Sequence, residues 1–269
     1  MNLTEIINNS LMQSLLLSPL MGVVFAAIFS GLTSAPKGSN ATSVLVTRTV
    51  YRERVIYRNG GGGKHKSNSS DDAMGVGIAA FGAMCFVVWK YATMYDQILA
   101  ILCIATLTII SFAFTTIVIS LIKGQYTSTD WYMYTLFPLA ALFMCLYLVF
   151  FAFNSFDPRI QEEALKANVV DFYFKRLNEY GRNFMMAHII GIVSMVFTLL
   201  ATMLAQIHYL SLMNLRGAEN SEGFWFWLAK LTSAMSRKRW LVGMIILLVM
   251  SYICLEPNLV ATWLTNRTK

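Results

Sequence analysis

The segment Ile98–Ile122 reads ILAILCIATLTIISFAFTTIVISLI and contains no acidic, basic or histidine side chain. At about 1.5 Å per residue, a helix of this length covers the hydrocarbon core of a bilayer, which is roughly 30 Å thick. Within lipid, only helices and closed barrels satisfy the hydrogen bonds of the backbone, and a continuous apolar run is typical of a helix. This segment therefore predicts a transmembrane helix.

The composition of the whole chain agrees with this interpretation. Of the 269 residues, 57% are hydrophobic and only 13% are charged, whereas a soluble domain carries about 25% charged residues. A chain so poor in charge cannot cover a water-exposed surface. The longest polar stretch, residues 33–72, is too short to bury a sizeable core of its own. We therefore predict an all-α polytopic membrane protein without a large soluble domain.

Five further apolar stretches accompany the first. The predicted spans are Leu11–Leu32, Ala73–Trp89, Ile98–Ile122, Trp131–Phe153, Met185–Leu210 and Trp240–Leu264. Glu256 and Pro257 interrupt the last stretch, so six spans is the prediction and five the alternative. The compact polar segment Lys90–Asp96 predicts that the second and third spans form a helical hairpin.

The spans divide the chain into five parts, residues 1–32, 33–72, 73–153, 154–184 and 185–269. The first, third and fifth loops hold 13 of the 21 Lys and Arg residues, and the other water-facing segments hold eight. Basic residues accumulate on the cytoplasmic side of membrane proteins. This bias predicts an outside N-terminus, and the composition fits a multi-pass protein of a bacterial inner membrane.

The first loop contains an unusual basic segment. Residues 43–58 read SVLVTRTVYRERVIYR, and the β-branched and aromatic residues favour a strand. Because side chains alternate along a strand, four arginines share one face: Arg48, Arg52, Arg54 and Arg58. The Gly- and Ser-rich residues 59–72 form a flexible tether. One hypothesis is that the strand pairs with another chain, a second copy or a different membrane protein. The other is that it binds anionic lipid headgroups; nucleic acid is a distant third partner.

The fourth loop predicts a long amphipathic helix over residues 158–184. Asp157 is suited to cap it, and Pro158 suits the first helical position. Apolar residues recur at spacings of four and three, which places them on one helix face; Phe174, Leu177 and Tyr180 are among them. We predict that this helix continues into the fifth span. Its apolar face is a candidate contact for a partner helix, a second copy or the bilayer surface.

Small residues recur at four-residue spacing in two spans. They are Gly22, Ala26 and Ser30 in the first and Gly75, Ala79 and Ala83 in the second. Such faces allow helices to approach closely, within the chain or between copies. In the fifth loop, the aromatic residues 224–227 and the basic residues 237–239 are typical of an interfacial anchor beside a cytoplasmic helix end.

The chain carries no zinc, phosphate-loop or nucleophile motif, and we assign no catalytic, cofactor-binding or metal-binding residue. The four cysteines lie in apolar stretches and are expected to be reduced. Ionisable groups inside the membrane are the usual pointers to function, and here they are His188, His208 and Glu256. His188 and His208 are about 30 Å apart on one helix, too far to share a metal within one chain.

These observations favour a non-enzymatic component of a bacterial membrane assembly. Secretion or conjugation machinery, plasmid exclusion and phage defence are all compatible with it. The basic strand and the amphipathic helix would be its interaction surfaces. The alternative is a channel or transporter whose path passes near Glu256 and His188.

Overall fold

A computed structural model describes residues 10–31, 70–122, 129–215, 223–236, 238–257 and 259–267. Within these ranges every regular element is helical, which agrees with the predicted all-α class. The predicted basic strand, with Arg48, Arg52, Arg54 and Arg58, lies outside the described residues.

The described helices are α1 (Ser10–Gly31), α2 (Ser70–Thr93), α3 (Tyr95–Ile122), α4 (Thr129–Ser155), α5 (Pro158–Lys166), α6 (Glu179–Leu215), α7 (Phe224–Leu231), α8 (Arg239–Leu255) and α9 (Val260–Arg267). Three of them, α3, α4 and α6, are long and apolar enough to cross a membrane. Shorter apolar helical stretches lie in α1, α2 and α8. Length and composition thus support three candidate membrane spans among the described residues.

Helices α3, α4, α6 and α8 form an up-and-down bundle. Trp131 on α4 donates a hydrogen bond to Ser120 on α3 (2.8 Å), and the Tyr95 hydroxyl donates to the carbonyl of Ala152 (2.6 Å), so these two helices are antiparallel. We call the two ends of the bundle the Tyr95 end and the Ile122 end, after the first and last residues of α3. Helix α6 starts at the Tyr95 end, and α8 returns to it.

Helix α1 packs closely on α3. Ser18 donates to the carbonyl of Ile104 (2.8 Å) and is hydrogen-bonded to Thr108, while Ala26 contacts Phe112. Residue numbers rise together along the two helices, so α1 and α3 run in the same direction. A Cβ at Gly22 would collide with the Thr108 carbonyl. The close approach predicted for the small residues of the first span is confirmed, and it occurs within the chain.

The predicted hairpin between the second and third spans is wrong. Only Met94 separates α2 from α3, and its N–H donates to the carbonyl of Lys90 (3.1 Å) while its carbonyl accepts from Ile98 (2.9 Å). These are helical hydrogen bonds, and a reversal between helices needs a longer loop. The sequence from Lys90 to Asp96 has no Gly or Pro to end a helix. The helical hydrogen bonds therefore continue through this segment, and α2 packs mainly on α5 and the residues that follow it.

The predicted continuous helix over residues 158–184 is also wrong. Helix α5 ends at Lys166, short helical turns occupy Val169–Asp171 and Phe172–Arg176, Leu177 is extended, and α6 begins at Glu179. The indole N–H of Trp89 lies 3.0 Å from the carbonyls of both Ala164 and Ala167, which stabilises the end of α5. Phe172 and Tyr173, which follow the break, are both buried.

Proline explains a local irregularity in α4. Pro138 has no N–H and its ring clashes with the carbonyl four residues earlier. The helix accommodates it with a π turn at Tyr132–Leu136, closed by a hydrogen bond from Phe137 N–H to the Tyr132 carbonyl. Trp131 and Tyr134 beside this turn are buried against the Ile122 end of the bundle.

The sixth apolar stretch is interrupted where the sequence indicates. Helix α8 ends at Leu255, Glu256 is extended, and α9 follows from Val260. Proline cannot supply the next helical hydrogen bond and disfavours the helical conformation in the residue before it. Residues 240–264 are therefore two helices, and α8 alone is 17 residues long.

Candidate functional site

A hydrogen-bonded histidine occupies the core at the Tyr95 end. His188 on α6 is fully buried; its Nδ1 lies 2.7 Å from the Tyr91 hydroxyl and its Nε2 lies 3.4 Å from Oγ of Ser155. Ser155 donates to the carbonyl of Ala152 (3.2 Å), so its oxygen is left to accept from Nε2–H. Nδ1 is then the acceptor for Tyr91. The network assigns one neutral tautomer to His188 and links α2, α4 and α6.

Aromatic rings enclose this histidine. Tyr91, Tyr95, Phe156 and Phe184 have ring centroids 5.4–6.0 Å from that of His188. Tyr95 and Phe156 are stacked with centroids 3.7 Å apart. We call these five residues with Ser155 the His188 cluster. These side chains enclose the imidazole, which is fully buried.

A cleft of about 400 Å³ opens beside the His188 cluster. It lies between the start of α5, the residues before α6, the first turns of α6 and the link after α8. Its lining residues are Ser155, Asp157, Arg159, Ile160, Glu163, Arg176, Leu177, Asn178, Tyr180, Gly181, Phe184 and Pro257. Ser155 and Phe184 belong to both features, so the cleft reaches the edge of the His188 cluster.

The charges of the cleft are balanced and partly paired. Arg176 forms an ion pair with Glu163 (3.0 Å). Asp157 caps α5 by accepting from Arg159 N–H (3.0 Å), and Asn178 accepts from Gly181 N–H (2.7 Å) near the start of α6. No carboxylate of the described residues forms an ion pair with the Arg159 side chain.

Two further ion pairs lie on the water-facing link between α4 and α6, residues 156–178. Lys166 lies 3.8 Å from Glu162, and Lys175 lies 2.7 Å from Asp171. The hydrogen bond and charge of Lys175 lower the pKa of the Asp171 carboxyl. Both are i,i+4 pairs in which the acidic residue precedes the basic one, the order that favours a helix.

The second histidine lies at the Ile122 end. His208 is buried; its Nδ1 is 3.0 Å from Oγ1 of Thr232, which itself donates to the Leu228 carbonyl (2.8 Å). Thr232 therefore accepts from Nδ1–H, which leaves Nε2 of His208 as an acceptor. No hydrogen-bond donor to this Nε2 exists among the described residues.

Buried polar side chains continue along α6 from His188 past His208 to Asn214. They are His188, Ser194, Thr198, Thr202, Gln206, His208, Ser211 and Asn214. The hydroxyls of 194, 198 and 202 donate to carbonyls of their own helix. The amide of Gln206 is only 2% exposed and has no hydrogen-bond partner among the described residues. The polar line covers about 39 Å of helix.

The predicted site residues separate into two groups. Leu177 and Tyr180 line the cleft, Tyr180 donates to the carbonyl of Pro257 (3.3 Å), and His188 lies beside the cleft. Glu256 immediately precedes Pro257 and is half-buried. Phe174 is exposed outside the cleft, where its ring lies 6.0 Å from that of Phe81, and His208 lies at the opposite end of the bundle.

Sequence reasoning missed the partners of His188. Tyr91 and Tyr95 fall in the segment Lys90–Asp96 that was predicted as a turn, although their i,i+4 spacing places them on one helix face and could have identified them as a pair. The sequence around Ser155 contains no pattern that identifies it as a partner of His188. Among the described residues, no group of three His, Cys, Asp or Glu side chains is arranged to hold a metal ion, and the four cysteines are unpaired.

Comparison with models of known protein families, with curated proteins and with solved structures finds no match for this chain.

Proposed function

We propose that this chain is a non-enzymatic, multi-pass component of a bacterial inner-membrane assembly, of the secretion, conjugation, plasmid-exclusion or phage-defence type. It binds second copies or other membrane proteins through the water-facing link between α4 and α6 and through the basic segment 43–58.

The observation that carries this proposal is apolar surface outside the spans. Leu165 is 67% exposed and Val170 is 64% exposed, and both lie among the ion pairs of Lys166 and Lys175. Exposed apolar side chains on a span face lipid, but these lie where the chain meets water and headgroups. Exposed apolar surface rimmed by charged residues is typical of interaction surfaces, and these two side chains support one on this link.

Oligomer size in a mild detergent tests the proposal. We expect the wild-type chain to purify with further copies or partner proteins, and we expect Leu165→Ala combined with Val170→Ala to reduce that association. Ile101→Ala is the matched control, because Ile101 is also 67% exposed but lies on the α3 span. A lone wild-type monomer, or equal loss in the control, contradicts the assembly function. Deletion of residues 43–58 tests the second surface in the same way.

We further propose six crossings with the N-terminus outside. Since α1 and α3 run in the same direction, one crossing between Gly31 and Tyr95 would return the chain to the Tyr95 end, which supports a span in that interval. Cysteine labelling tests it: Ser34→Cys and Asn154→Cys should react from opposite sides. Reaction from the same side would contradict the proposal.

A second candidate function is passage of protons or ions along α6. The unpaired Gln206 amide and Nε2 of His208 favour it, because unpartnered polar groups inside a membrane protein mark sites for water or ions. Flux into proteoliposomes that falls in Gln206→Leu and His208→Phe, and also in Glu256→Ala at the Tyr95 end, would support a path. Thr202→Val is the control, because its hydroxyl is satisfied within its own helix. An absence of flux in the wild type excludes this function.

A further inference from the structure

We propose that the cleft at the Tyr95 end binds the headgroup of a zwitterionic aminophospholipid, with the phosphate on Arg159 and the ammonium group between Asp157 and Glu163. This inference is independent of the assembly function, because it rests on the cleft and not on the exposed apolar residues.

The position of the cleft matches the depth of lipid headgroups. It lies where α4 ends at Ser155, where α6 begins at Glu179 and just beyond the end of α8 at Leu255. The headgroup layer of a bilayer borders the hydrocarbon core at the ends of spanning helices. A ligand that reaches the cleft from the bilayer therefore presents its polar end at this level.

The cleft has an apolar wall and a charged rim, as a phospholipid has an apolar part and a charged headgroup. Ile160, Leu177 and Phe184 supply apolar surface, and the charged residues supply a polar rim. A volume of about 400 Å³ falls in the range of small-molecule sites, roughly 300–1,000 Å³. A headgroup with its glycerol backbone therefore has both the space and the matching surfaces.

The charges select a zwitterion over an anion. Two arginines and two carboxylates line the cleft, so its formal charge is balanced. Arg159 carries no ion pair among the described residues and is the cation available for a phosphate, to which guanidinium groups bind in a bidentate manner. An anionic headgroup would bring a further negative charge beside Asp157, which forms no ion pair among the described residues.

The same carboxylates select a primary ammonium group over a quaternary one. An –NH₃⁺ group donates up to three hydrogen bonds, for which Asp157 and Glu163 are acceptors. A quaternary ammonium group needs aromatic faces instead. The two aromatic rings of the cleft, Tyr180 and Phe184, stack on each other with centroids 6.3 Å apart, so they do not form a cage around a ligand.

Native mass spectrometry of the detergent-purified chain tests the proposal. The protein is titrated with phosphatidylethanolamine, phosphatidylcholine and phosphatidylglycerol. We expect phosphatidylethanolamine to bind most tightly, and we expect Arg159→Ala to weaken its binding by roughly tenfold, the effect of losing one charge-assisted hydrogen bond. Lys166→Ala is the control, because Lys166 is a basic residue of the same helix that does not line the cleft.

A second variant separates a zwitterion site from a generic anion site. Asparagine caps helices as well as aspartate does, so Asp157→Asn keeps α5 and removes only the negative charge. We expect this variant to weaken phosphatidylethanolamine binding and to strengthen phosphatidylglycerol binding. Wild-type affinity in Arg159→Ala, tighter wild-type binding of phosphatidylglycerol, or no change in Asp157→Asn would each overturn the proposal. Equal binding of soluble phosphoethanolamine would overturn the assignment to a lipid.

Discussion

Replacing Gly191 by alanine places a methyl group in the contact between α6 and α8. A Cβ at Gly191 would lie 2.9 Å from Cγ of Leu255 and 3.2 Å from the carbonyl oxygen of Ser251. Carbon atoms in favourable contact are about 3.5–4.0 Å apart, so α8 has to move by roughly 0.6–1.1 Å. Leu255 is fully buried and has little free space for another rotamer. Overpacking of this kind costs about 1–3 kcal/mol in the free energy of unfolding.

A matched glycine isolates this steric cost. Alanine is also a better helix former than glycine by up to about 1 kcal/mol, which offsets part of the loss. A Cβ at Gly243 on α8 meets no atom within 4 Å, so Gly243→Ala shows the helix propensity alone. Since propensity cancels between the two variants, we expect Gly191→Ala to be less stable than Gly243→Ala by about 1–3 kcal/mol.

The measurement is unfolding by SDS titration in mixed micelles of constant composition, followed by tryptophan fluorescence. Ser251 donates to the carbonyl of Gly191 (2.9 Å), so a shift of α8 also stretches this hydrogen bond. Equal unfolding free energies for the two variants would refute the reasoning, because they would show that α8 adjusts its position on α6 without cost.

Three further changes probe the Tyr95 end. Tyr91→Phe leaves Nδ1 of His188 buried without a donor, and we expect a loss of about 1–3 kcal/mol in unfolding free energy; an unchanged SDS midpoint would contradict the assigned network. Trp89→Phe removes the indole donor that joins α2 to α5, so buried Cys85 should react faster with maleimide by peptide mass spectrometry, and an unchanged rate would show that α2 is held by other contacts. Because its ion pair lowers the pKa of Asp171, that pair stabilises the fold above about pH 4 and is lost as pH falls through the lowered pKa; the stability difference between wild type and Asp171→Asn should therefore vanish in acid, and a difference that persists would exclude this linkage.

Much of the helical layout follows from runs of apolar residues. The predicted spans 98–122, 131–153 and 185–210 each lie inside a long helix of the structure, because burial of apolar side chains and internal backbone hydrogen bonding act along a continuous segment. The interruption at Glu256 and Pro257 was also visible, since a proline acts on its own neighbours. These are local effects, and a single sequence contains them.

The errors arise where distant segments meet. The spacing of apolar residues over 158–184 fits one helix face, yet Trp89 donates to the carbonyls at the end of α5. Tyr173, after the break, packs edge-on against Phe81 of α2. The turn predicted at Lys90–Asp96 is instead crossed by helical hydrogen bonds. Its polar residues are compatible with a helix, and Tyr91 and Tyr95 have buried partners on α6 and α4. Periodicity states which side chains are apolar and does not state which neighbour covers them.

The sequence by itself determined that this chain is helical and membrane-embedded, and it identified His188, His208 and Glu256 as the unusual ionisable groups. The segment Ile98–Ile122 was sufficient for the first conclusion, because lipid leaves a charge-free backbone of that length few alternatives to a helix. Only the tertiary structure decided that His188 has partners 97 and 33 residues away, that the link between α4 and α6 is broken, and that charged residues meet in a cleft. Those features depend on side chains far apart in the chain, and their distances are set by packing.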